Sequence, residues 1–159
     1  MATITTGMTV VNKEAMMRGE ILTADTYKAA LLRANASLGR SYGPSSNLKY
    51  ADITAATSDE VASGGGYTTG GNTLASYVSG PNNATPTVIT GTGAWLSWAT
   101  TTWTSATFTT SGMAIYDNTH ANKLVIGWYD FGGDKTVTAG TLTVTMPTAG
   151  AGTAIVCIN

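Results

Sequence analysis

Charge is what this chain lacks most. Asp, Glu, Lys and Arg make up 11% of its 159 residues, against roughly 25% in ordinary soluble domains. Eight basic and nine acidic residues leave a net charge of −1. The basic residues are scattered without a stripe or cluster. Counterion release would therefore add little to binding, and nucleic acid is excluded as an expected partner. No polybasic patch points to a membrane surface. A surface this poor in charge is weakly guarded by self-repulsion and suits a chain that packs against other subunits.

Cysteine and histidine are almost missing. The single Cys157 excludes an internal disulfide and with it a disulfide-stapled fold. In its apolar setting, Ala154–Ile158, it reads as a buried inert thiol. The single His120 excludes a histidine-based metal cluster within one chain. A nucleophilic triad would need His120, an acid such as Asp117 or Asp130, and an activated Ser or Cys; no Gly-x-Ser-x-Gly motif is present. His120 reads instead as a solvated residue of the polar turn Asp117-Asn118-Thr119-His120. Asp117, Asp130 and Asp134, with Asn118, offer oxygen ligands of the kind calcium takes, but their spacing matches no calcium loop. The acidic residues form no recognisable acid–base pair. The expectation is a protein that is not an enzyme, with no catalytic residue, no cofactor and no metal.

Long apolar runs are absent too. Nothing approaches the roughly 20 residues of a membrane-spanning helix. Met1–Val11 carries no basic leader, so the chain is expected to be made in a cytoplasm, with no membrane partner.

What fills the space is threonine, nearly a fifth of the chain, together with Ser, Asn and 19 Gly. Threonine is β-branched and keeps an outer sheet face wet without charge. From Gly112 to Ile158 the apolar runs Met113–Tyr116, Leu124–Phe131 and Thr141–Met146 are separated by two breaks, residues 117–122 and Gly132-Gly133-Asp134. Both breaks carry turn chemistry. The pattern predicts three antiparallel strands, with a tight turn at Gly132-Gly133. Further strands are predicted over Leu74–Val78, Thr87–Thr90 and Ala94–Ala99. The Gly-rich stretch Ser63–Gly71 lacks the Gly-Lys-Ser/Thr ending of a phosphate loop and reads as a corner between strands.

The N-terminal half is less regular. Residues 1–12 read as an extended arm that orders against a neighbour. Asn12–Gly19 reads as one or two helical turns capped by Asn12 and stopped by Gly19. Leu48–Thr57 holds a further helical turn. Asp25–Ala36 fits a helix begun by Asp25 or a strand equally well, and periodicity does not decide so short a run. The expected organisation is an arm over 1–12 and a single antiparallel β-sandwich or jelly-roll-like domain over 13–159.

The segments that carry most of this pattern resemble one found in small structural proteins of tailed-bacteriophage virions. They are Gly112-Met113-Ala114-Ile115-Tyr116-Asp117-Asn118-Thr119, Leu124–Trp128, Asp130–Val137 and Gly140–Val144. Upstream they are preceded by Glu60-Val61, Gly66-Tyr67, Gly70-Gly71 and Thr73-Leu74. The resemblance covers about residues 25–146 and implies that Thr26–Leu32 is the first strand. It brings no catalytic residue. It implies a virion protein, foremost a capsid cement or decoration protein on the outer shell. The expected partners are the major capsid protein and the chain itself, as a homodimer or homotrimer. The alternative is a tail, baseplate or head-fibre component that binds a host glycan. The residues expected to make contacts are Thr3, Ile4, Thr5, Met8, Val10 and Val11 in the arm, and the indoles of Trp95, Trp98 and Trp103. These indoles read as core, interface or sugar platform.

Overall fold

The structure, a computed structural model, describes residues 7–21, 24–34, 36, 48–54, 59–80, 94–149 and 154–158. In chain order the elements are β1 (Gly7–Met8), α1 (Val10–Met17), β2 (Tyr27–Arg33), α2 (Tyr50–Thr54), β3 (Asn72–Thr73), β4 (Val78–Gly80), β5 (Ala94–Ser97), β6 (Thr101–Asp117), β7 (Val125–Val144) and β8 (Val156–Ile158). The fold is mainly β, with antiparallel sheets and two short helices among the described residues. Neither helix is long and apolar enough to cross a membrane. The chain gathers into two compact units, one of residues 1–73 and 102–142, the other of 74–101 and 143–159.

The first unit is built on a five-stranded sheet in the order β1-β7-β6-β2-β3. Strand β2 runs antiparallel to β6, from Tyr27 opposite Asp117 to Leu32 opposite Gly112. Pairing decides what periodicity left open for this segment. Strand β2 is buried on both faces, with Ala29, Ala30, Leu31 and Leu32 all inaccessible. It therefore reads as a continuous apolar run rather than an alternating one. Ala30 and Leu32 join Ala114, Tyr116, Val125 and Trp128 in one core, closed by Leu48 and Ile53. Each fully buried aliphatic side chain of this kind contributes about 1.5–3 kcal/mol.

The free edge of β2 carries two further segments. Asn72 and Thr73 pair with Ala29 and Lys28, and Glu60 bridges Leu32. Between them the Gly-rich loop leaves the sheet and returns. Gly64 and Tyr67 exchange backbone hydrogen bonds of 2.9 and 3.0 Å. Gly65 and Gly66 form the two-residue turn with φ of 52° and 81°, the left-handed pair that a tight hairpin requires. The corner expected here is thus a small hairpin of its own. It is fastened to β6 by the Thr107 N–H, which donates to the Gly65 carbonyl at 2.8 Å.

Two expectations from the sequence are corrected. The first is the arm over 1–12, which is not extended as far as Asn12. Among the described residues its extended part is Gly7–Met8, because Thr9 caps a helix. The Thr9 hydroxyl accepts the Asn12 N–H at 3.0 Å and donates to the Val125 carbonyl at 2.7 Å. Asn12, expected as the cap, instead lies buried inside α1, while Val11 and Ala15 pack on Leu124. Gly19, at φ 71°, follows the helix end as expected.

The second correction concerns Gly132-Gly133. Strand β7 runs through both residues without reversing. Their φ values of 71° and 112° mark a local irregularity in a long strand. The three predicted strands are therefore one hairpin, β6–β7, closed by residues 118–124. The Asp117 N–H donates to the Leu124 carbonyl at 2.9 Å near the turn, and the Thr109 and Thr136 hydroxyls lie 2.9 Å apart further out.

The second unit holds a three-stranded antiparallel sheet, β4-β5-β8. Val78 lies opposite Ser97 and Gly80 opposite Trp95, while Leu96 lies opposite Val156. Of the predicted strand Leu74–Val78 only its last residue is in a strand. The predicted strand Thr87–Thr90 lies outside the described residues.

Candidate functional site

The densest polar constellation of the first unit is centred on Glu60, which is only 7% exposed. Its Oε2 accepts the Tyr50 hydroxyl at 2.6 Å. Its Oε1 accepts the Tyr67 hydroxyl at 2.6 Å and the Gly70 N–H at 2.7 Å. Tyr67 in turn accepts the Leu31 N–H at 3.0 Å. Tyr116 donates to the Gly70 carbonyl at 2.8 Å and stacks on Tyr50 with ring centroids 4.4 Å apart. One carboxylate thereby ties helix α2, the Gly-rich hairpin and strands β2 and β6 together.

The network holds its phenols protonated. Burial, then hydrogen bonding to Glu60 and its negative charge, pushes Tyr50 and Tyr67 far above the ordinary tyrosine range. Burial and the Glu60 charge push Tyr116 up to about 12. A phenol so held donates a hydrogen bond and supplies neither nucleophile nor base near neutral pH. Beside Glu60 lies an open pocket of about 260 Å³, lined by Thr54, Glu60, Val61, Ala62, Ser63 and Thr69.

A second buried acid closes the β6–β7 hairpin. Asp117 is inaccessible, and its Oδ1 accepts the N–H groups of Thr119 at 2.8 Å and His120 at 3.0 Å. Its Oδ2 is buried without a hydrogen-bond partner. Burial raises the carboxyl above its usual range, the two N–H groups oppose that, and the charge of Asp25 adds to it.

The remaining sequence candidates are dispersed. His120 is half-buried; its Nδ1 accepts the Asn122 N–H at 3.1 Å, and its Nε2 lies 3.9 Å from Glu20. Asp130 is exposed on β7 and accepts the Gly132 N–H at 2.9 Å. Among the described residues no three acidic, histidine or cysteine side chains converge as a metal site. Cys157 stands opposite Trp95 in the ladder, and its side chain lies outside the described ones.

Of the expected contact residues, Thr3, Ile4 and Thr5 lie outside the described residues. Met8 is half-buried beside β7, Val10 is 39% exposed and Val11 is buried. Trp98 and Trp103 are 4% and 3% exposed, so neither offers a ring face to a sugar in this structure. Trp98 meets Tyr77 edge-on at 5.7 Å. Trp95 is half-buried, its indole lying over Gly80.

Sequence reasoning noted Glu60, Tyr67 and Gly70 as parts of a pattern and missed that they bond to one another. The available signal was the second acid of Asp59-Glu60, leading into the apolar pair Val61-Ala62, with Tyr67 and Gly70 close behind. Compared with protein-family models, curated proteins and solved structures, the chain matches none.

Proposed function

We propose that this chain is a structural, non-enzymatic protein of a tailed-bacteriophage virion, a cement or decoration protein on the outer face of the capsid shell. The observation that carries the reading is the outer edge of β7. Strand β1 covers it only at Gly127 and Trp128, yet β7 continues to Val144. Among the described residues no other strand pairs on that side. Residues Gly132 to Thr136 are all exposed. An uncovered edge of this length is a template for strand addition by a neighbouring subunit.

The low-charge, threonine-rich surface supports the same reading, as does the residue pattern of the β6–β7 hairpin. The partners are the major capsid protein and further copies of the chain, in a closed dimer or trimer. The finer fold class under this reading is a β-sandwich of jelly-roll type. Residues 1–6 supply the arm contacts, through Thr3, Ile4 and Thr5. Purified chain added to shells that lack it tests the reading. Saturable co-sedimentation supports it, and failure to bind at any concentration overturns it.

A further inference from the structure

We propose that the open pocket beside Glu60 is a socket for a cationic side chain, a lysine ammonium or an arginine guanidinium, presented by a partner polypeptide. Charge is the first ground. All three donors to Glu60 are neutral: two phenols and one backbone N–H. None of the ion pairs among the described residues includes it. Two lysines approach the rim of the network, Lys28 near Gly70 and Lys123 over the Tyr50 ring at 5.8 Å. Neither makes an ion pair with the carboxylate. Neutral donors satisfy the oxygens but leave the negative charge without a contacting cation among the described residues, and buried charges are ordinarily paired. Oε2 accepts one bond where Oε1 accepts two, and a carboxylate oxygen has room for a second.

The lining fits a donor-only group. The Thr54 hydroxyl gives its proton to the helix carbonyl of Ala51 at 3.2 Å, which leaves it acceptor lone pairs. Ser63 Oγ accepts the Thr69 N–H at 2.9 Å and lies 2.6 Å from the Thr69 hydroxyl. Ammonium and guanidinium groups donate and never accept. Val61 and Ala62 provide an apolar wall for the aliphatic stem. The volume, about 260 Å³, falls below the roughly 300–1,000 Å³ of small-molecule pockets. It is the size for the end of one side chain.

The socket rests on the virion reading only for the identity of the partner. The test follows the Gly70 amide and the Glu60 carboxyl carbon by NMR during titration with n-butylammonium, with n-butanol as the neutral control. Saturable shifts with the amine alone are expected. Ala62→Phe fills the pocket from an exposed position and leaves the three bonds to Glu60 in place. It should weaken amine binding at least about tenfold, the loss expected when one charge-assisted contact is removed, with an unchanged melting temperature. No shift with the amine, equal shifts with amine and alcohol, or unchanged binding in Ala62→Phe overturns the socket. Amine binding that Ala62→Phe blocks, in a chain that does not bind shells, upholds the socket and overturns the virion reading.

Discussion

The Tyr67 hydroxyl lies 2.6 Å from Glu60 Oε1. It gives its proton to that buried carboxylate and accepts the Leu31 N–H of the central sheet at 3.0 Å. Removing it leaves the Leu31 N–H without a partner and Glu60 Oε1 with the Gly70 N–H alone. Tyr67→Phe is therefore expected to cost about 2–6 kcal/mol, roughly 1–3 kcal/mol for the unsatisfied N–H and about 1.5–3 kcal/mol for the lost hydrogen bond to a charged group. Tyr50→Phe should cost less, because Tyr50 is only half-buried and water can replace its hydroxyl. Urea denaturation of both variants checks the order; equal losses would contradict it.

Asp117 predicts a pH dependence with a definite sign. Its folded-state carboxyl is raised above the ordinary value, so the folded chain binds this proton more tightly than the unfolded one. The favourable contribution is present at low pH and is lost as pH rises through the raised value. Asp117→Asn keeps the Oδ1 acceptor and removes the titration. The stability of Asp117→Asn relative to the parent should therefore be greater at about pH 7 than at about pH 3, with the change beginning near the ordinary aspartate value of ~3.9. A difference that is constant with pH would contradict the assignment.

Gly66 and Gly132 share a left-handed backbone but not their surroundings. A Cβ on Gly66 would meet the Ser105 and Thr104 carbonyls at 2.6 Å, whereas one on Gly132 would meet nothing within 4 Å. Gly66→Ala should therefore be the more damaging, at several kcal/mol, while Gly132→Ala should cost about 1–2 kcal/mol for backbone strain alone. Thermal melts of the two variants measure the contrast.

Where local preference decides the structure, the residues are legible. The stop at Gly19 and the turn after Asp117 follow from backbone preference and turn chemistry. The strand Tyr27–Arg33 did not declare itself by alternation, because both of its faces are buried; only the resemblance pointed to it. Other misread places depend on distant partners. Thr9 and Asn12 both suit a cap, and contact with Val125 selects Thr9. Gly132-Gly133 suits a reversal or an irregularity within a strand, and the continued pairing of β7 with β6 selects the second. The Glu60 network joins residues 50, 60, 67, 70 and 116, whose proximity exists only after the sheet has formed.

Those same contacts define how the arm is tested. Thr9, Val11 and Asn12 are buried, so deletion through Val11 should unfold part of the first unit. Deletion of residues 1–6 alone should retain the circular-dichroism spectrum and lose shell binding. Full shell occupancy by that shorter chain would contradict a role for the arm.

Quantitative mass spectrometry of purified virus particles tests the central claim most directly. A cement protein is predicted to be present in a number of copies comparable to that of the shell subunits. Absence from the particles, or a few copies confined to the tail, would contradict it.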